Sequence, residues 1–138
     1  MQKLTASLMA VGLLLLAACS TGGELEPGRV TSFEGIAGTI YERQGSGGEF
    51  FFYFFEDGTW HGSSNRDLVV DRPSEIKETR FEGTTAFVTE IKGPTTDCPD
   101  AMYEIHVLEN LNLQYVAIED TCAKRSIALN LSEWAPVP

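Results

Sequence analysis

The chain predicts an all-β fold, an antiparallel meander of about seven or eight strands. From residue 36 onward, short runs rich in β-branched and aromatic residues alternate with turn residues at close spacing. The pairs Asp57-Gly58, Glu82-Gly83 and Glu109-Asn110 stand between neighbouring runs, where a tight hairpin turn would sit. No helical period of comparable strength competes with these runs.

The first strand is expected over residues 36–43, followed by a Gly45-Ser46-Gly47-Gly48 link and an aromatic strand over 49–56. In that strand Phe50-Phe51-Phe52-Tyr53-Phe54-Phe55 places aromatics on both faces, so both faces need cover. One face fills the interior and the other packs beneath the N-terminal stretch or the 67–73 loop; the alternative is an aromatic-lined pocket or a partner surface. A two-residue loop at Asp57-Gly58 leads into the strand 59–64 and sets Trp60 beside Phe55 and His61 beside Phe54. Strands 76–82, 84–92, 101–108 and 111–118 follow, while 126–131 suits a strand and a short helix equally. Folding at Glu109-Asn110 puts Leu108 opposite Leu111, which places Glu104, His106 and Tyr115 on one face with Met102 and Leu113. The other face, with Tyr103, Ile105 and Val107, is more uniformly apolar, so Glu104 and His106 are expected to point to solvent.

The N-terminus has a different character. An apolar run over residues 8–16 follows the lone basic Lys3 and ends in Leu16-Ala17-Ala18-Cys19. Thr5, Ser7 and Gly12 interrupt a stretch already shorter than the ~20 apolar residues a spanning helix needs. The segment resembles the signal of bacterial lipoproteins. That resemblance implies cleavage after residue 18, diacylation of the Cys19 thiol, and a membrane-anchored protein in the bacterial cell envelope, outside the cytoplasm. In a Gram-negative envelope, Ser20 after the lipidated position implies the outer membrane. One acyl chain, at ~0.8 kcal/mol per buried methylene, binds only reversibly, so two or three chains make attachment durable. Residues 19–32, with Gly22, Gly23, Pro27 and Gly28, are expected to be a flexible stalk, and 33–138 a single β domain.

With Cys19 lipidated, Cys98 and Cys122 have one possible pairing. The hairpin already sets Cys98 opposite Thr121, one position from Cys122, and an extracytoplasmic compartment permits the bond. Neither cysteine lies in a Cys-x-x-Cys spacing or near a histidine cluster, which disfavours a redox or metal role.

Loss of Lys3 with the signal leaves nine basic residues against twenty acids, a formal charge of −11. Nucleic acid and anionic headgroups are therefore disfavoured partners. The acids are dispersed, as on a solvated surface, although they could steer a basic protein toward the domain.

The order of signal, short strand ending in Gly38-Thr39-Ile40-Tyr41, aromatic strand, Asp57-Gly58-Thr59 turn, later hairpins and closing Trp134 resembles small bacterial lipoproteins with a lipocalin-like domain. The resemblance implies an up-and-down barrel of about eight strands, whose interior is packed by side chains or holds one small apolar ligand. A twisted open sheet and a small β-sandwich are the alternatives. Phe52, Phe54, Trp60, Glu104, His106 and Tyr115 are the candidate ligand-binding residues, aromatic walls with a few polar groups to orient a ligand's head.

Catalysis finds little support. Ser63-Ser64 near His61 lacks a nucleophile elbow, and the Gly45-Ser46-Gly47-Gly48 link leads into a strand with no lysine or helix N-terminus after it. Neither His61 nor His106 stands at a metal-ligand spacing from a carboxylate or cysteine, and no cofactor motif occurs. A non-enzymatic binder of a small apolar ligand is the leading expectation. The alternatives are a structural domain and a protein-interaction module, the latter because the chain is similar in size, acidity and disulfide use to small lysozyme-inhibitor lipoproteins.

Overall fold

A computed structural model describes residues 24–138; the lipidation box and Cys19 lie outside the described residues. The strands are β1 (Gly28–Arg29), β2 (Ile40–Arg43), β3 (Phe51–Phe54), β4 (Thr59–Ser63), β5 (Glu75–Glu82), β6 (Thr85–Lys92), β7 (Ala101–Val107), β8 (Leu113–Glu119) and β9 (Glu133–Val137). A helix, α1 (Ala123–Leu129), separates the last two, and a single 3₁₀ turn spans Arg66–Leu68. From β2 to β9 each strand pairs antiparallel with its chain neighbour, and β9 returns to β2 through Ile40↔Val137 to Arg43↔Trp134. This closes an eight-stranded, up-and-down, lipocalin-like barrel and excludes the open sheet and the sandwich. Closure gives each of the eight barrel strands a partner on both sides.

Two hairpin loops are one residue longer than the sequence suggests. The Phe55 N–H donates to the Thr59 carbonyl (2.8 Å) and Gly58 takes φ +96°, making Glu56-Asp57-Gly58 a three-residue loop with a left-handed third position. The loop Glu109-Asn110-Leu111 copies it, with Leu108 N–H donating to the Asn112 carbonyl (2.8 Å) and Leu111 at φ +68°. Because side chains alternate with period two, one added residue exchanges the faces of the following strand. Trp60 therefore opposes Phe54 rather than Phe55, and Tyr115 opposes Ile105 rather than Glu104. The longer loop also moves the open end of the hairpin toward Cys122, and the Cys98–Cys122 disulfide is formed with Cα atoms 5.7 Å apart. The third hairpin does turn on two residues, Gly83-Thr84, with Glu82 opposite Thr85.

Residues 123–129 settle as helix, with Arg125 and Leu129 one turn apart on the buried face, and the eighth barrel strand is β9 instead. The first expected strand begins only at Ile40, since 33–38 form a turn-rich plug. Phe33 in that plug lies 4.8 Å from Phe54 and 5.2 Å from Phe81, closing one barrel end. The expected stalk is partly built into the domain: Gly28 and Arg29 pair with Val107 and His106, and Val30 is buried.

The barrel interior is filled by aromatic rings. Phe52 stacks on Trp134 at 3.6 Å and meets Trp60 edge-on at 4.6 Å, while Trp60 lies 5.7 Å from Phe54 and 5.6 Å from Tyr115. Such offset and edge-on contacts are the favoured aromatic geometries, and an eight-stranded barrel is just wide enough for its side chains to fill it. On the outer face of β3 and β4, the 64–74 segment supplies the cover. Phe51 is buried beside Ser64, Asn65 and Arg66, Val69 is fully buried, and the His61 Nδ1–H donates to the Val70 carbonyl (2.9 Å).

Candidate functional site

The barrel end opposite the Phe33 plug gathers the 44–50, 64–74 and 93–100 connections and is covered by α1. Beneath α1 lies a partly open cavity of about 90 Å³. Its floor is aromatic, formed by Phe50, Phe52 and Trp134, and its far wall is charged, formed by Glu75, Lys77, Glu90 and Arg125. The remaining grooves are shallow; one of about 730 Å³ runs past Glu42, Glu49 and Asp67 on the outer surface.

Strand alternation puts charge inside. Lys77 on β5 and Glu90 on β6 face each other across one ladder rung, both inward and both buried. Lys77 Nζ lies 2.5 Å from Glu75 Oε2 and 3.5 Å from Glu90 Oε1, and 5.0 Å from the centre of the Trp60 ring. Glu75 thus takes the hydrogen bond, and among the described residues neither Glu90 oxygen has a hydrogen-bond partner. Burial raises the Glu90 pKa, with Lys77 pulling against it. A Cβ at Gly93 would stand 2.2 Å from Glu90 Oε1, so the glycine makes room for this carboxyl.

Arg125 reaches the cavity from α1. Its Nε and Nη2 each donate to the Asp120 carboxylate at 2.9 Å, and Nη2 donates also to the Pro99 carbonyl at 2.5 Å. Burial pushes the Asp120 carboxyl up, but hydrogen bonds from Arg125, the Tyr103 hydroxyl and the Cys122 N–H outweigh it and hold the pKa below its ordinary value. Burial and the same carboxylate push the Tyr103 phenol up. The Arg125 hydrogen bond to the Pro99 carbonyl and the disulfide both tie the start of α1 to the 93–100 loop, fixing the cover. Arg125 Nη1 remains buried without an acceptor among the described residues. Arg43 joins from β2, its guanidinium 5.1 Å over Phe50 and 5.5 Å over Trp134, and its buried Nε likewise lacks an acceptor. Charged side chains from β2, β5, β6 and α1 therefore line one small space with an aromatic floor.

Of the residues singled out by sequence, Phe52, Phe54, Trp60 and Tyr115 come together inside the barrel, and Phe52 reaches the cavity floor. Glu104 and His106 do not join them. They lie on the outer face of β7, where the His106 Nε2–H donates to Glu104 Oε2 (2.9 Å) and Arg29 Nε pairs with the same oxygen (3.0 Å). Sequence reasoning missed Arg43, Lys77, Glu90 and Arg125. The signal was the polar inward series Lys77-Thr79 facing Val88-Glu90, visible only once the Gly83-Thr84 loop fixes the register. Among the described residues, no three histidine, cysteine or acidic side chains gather as metal ligands.

Fold and site together define a lipocalin-like barrel with a solid aromatic interior and a covered, charged mouth. Comparison with protein-family models, with curated proteins and with solved structures finds no match to the chain.

Proposed function

We propose that the protein is a lipid-anchored, extracytoplasmic binding domain that takes a small ligand at the barrel mouth beneath α1. The observation that carries this reading is the partly open cavity beneath α1, whose lining brings Arg43, Lys77, Glu90 and Arg125 together over an aromatic floor. The apolar ligand expected in the middle of the barrel would have to displace rings already packed there, so the proposed site moves to the mouth. At about 90 Å³ it suits a small molecule or one group of a larger one, below the ~300–1,000 Å³ of drug-sized sites. The reading is of binding rather than catalysis.

The test is a nuclear magnetic resonance screen of small-molecule mixtures against the isotope-labelled protein. Binding should perturb Phe50, Lys77, Glu90 and Trp134 together, and Ala128→Phe, which obstructs the rim from α1, should abolish the perturbations while leaving the fold unchanged. Perturbations clustered elsewhere, or retained in A128F, would sink the proposal. For the anchor, Cys19→Ser should move the protein from the membrane to the soluble fraction. A second reading draws support from the outer groove at Glu42, Glu49 and Asp67, whose acids suit a basic protein partner. Salt-sensitive retention on such a partner, lost on neutralising these three acids, would favour it.

A further inference from the structure

We infer that the protein stands on the membrane by the plugged end of its barrel, with the mouth beneath α1 turned to water, so that the mouth takes a water-soluble small molecule and not a bilayer lipid. The inference rests on the Cys19 anchor and on the mouth reading, and it specifies the source of the ligand. The length of chain between anchor and barrel decides it. A stalk running from Cys19 to Ser32 would reach ~45 Å when extended. That exceeds the ~35 Å diameter of a globular domain whose radius of gyration is ~13 Å, and it would leave every orientation open. The barrel instead takes hold of the chain well before Ser32. Leu25 packs against the core, Gly28 and Arg29 pair with Val107 and His106, the Val30 N–H donates to the Ile105 carbonyl (2.8 Å), and Arg29 Nε pairs with Glu104 Oε2 (3.0 Å). The six steps from Cys19 to Leu25 reach at most ~21 Å. Leu25 lies at the plugged end, in one shallow groove with Ile36 of the plug and with Val107, which leads into the 109–111 loop. α1 covers the other end. Resting α1 on the bilayer would carry Leu25 away from it by about the ~35 Å diameter of the domain, beyond the reach of the anchor. Ile127 and Leu131, 84% and 63% exposed on and just after α1, are the side chains such a contact would use, and the short tether keeps them in water. The plugged end displays Glu26, Glu34, Asp57, Glu82 and Glu109, so it has little attraction of its own for anionic headgroups and the anchor holds it there.

The test places the full-length lipidated protein in phosphatidylcholine nanodiscs in which a small share of the headgroups carries a gadolinium chelate, and reads the paramagnetic broadening of assigned backbone amides. The loops 55–58, 83–84 and 108–112 at the plugged end should broaden at least fivefold more than α1 and the 93–100 loop. In nanodiscs without gadolinium, the Trp134 indole N–H should resonate where it does in lipid-free Cys19→Ser protein. Broadening of α1 equal to or greater than that of the plugged end would overturn the inference, and a Trp134 resonance shifted by the nanodisc would show a lipid group in the mouth and overturn it as well. If the folded wild type does not attach to nanodiscs at all, the anchor reading fails and the inference falls with it. The mixture screen decides separately whether the mouth binds a small molecule.

Discussion

Leu111 holds a left-handed backbone, φ +68°, at the position where its sister loop places Gly58 at φ +96°. A side chain in that region is disfavoured by ~1–2 kcal/mol, and glycine returns ~0.4–1 kcal/mol of this through its freer unfolded state. Leu111→Gly should accordingly stabilise the protein by about 0.5–1 kcal/mol in urea unfolding; a loss of stability would show that the Leu111 side chain matters more than its backbone. Asp120 gives a prediction of the opposite sign. Its carboxylate is fully buried and bonded to Arg125, so Asp120→Asn leaves a buried guanidinium unpaired and should cost about 3–5 kcal/mol. The sign with pH follows from its lowered pKa. Its contribution is complete above the unfolded value of about 3.9 and is lost as pH falls through that value toward the lower folded one. Unfolding midpoints measured from pH 7 to pH 2.5 should therefore fall more steeply on the acid side in the wild type than in D120N.

Among the elements, α1 and the 93–100 loop are held by side-chain ties rather than by the ladder, namely the Cys98–Cys122 bond and the Arg125 contact to Pro99. Reducing the disulfide should lower stability by about 2–4 kcal/mol. Hydrogen exchange should then quicken first in α1 and 93–100 while β2 to β6 stay protected; uniform loss of protection would mean that the cover and the barrel unfold as one unit. The strands themselves were legible because β-branched and aromatic runs between turn residues leave few alternatives. Loop length was not, since Asp57-Gly58 and Glu109-Asn110 suit loops of two residues and of three alike. That single ambiguity reversed the expected company of Trp60 and Tyr115. The site stayed hidden for a different reason. Lys77 and Glu90 look like ordinary surface charges until the register turns both inward, and Arg125 lies just before the stretch 126–131 that reads equally as strand or helix. β9 escaped because Pro136 argues against a strand, yet it sits where only β2 pairs with that part of β9.

For the whole molecule, closure and filling go together. The eight strands set a narrow interior, the aromatic surplus of β3, β4 and β9 fills it, and Arg43, Lys77, Glu90 and Arg125 gather at the mouth. The charged mouth and the solid interior are thus two consequences of one arrangement, and a ligand is directed to the rim rather than the depth. The most direct test is a crystal structure of the protein under xenon pressure, because xenon enters dry apolar cavities that are otherwise hard to detect. No xenon should appear among Phe54, Trp60, Tyr103 and Tyr115. An ordered xenon atom among those rings would show an apolar chamber inside the barrel and contradict the account.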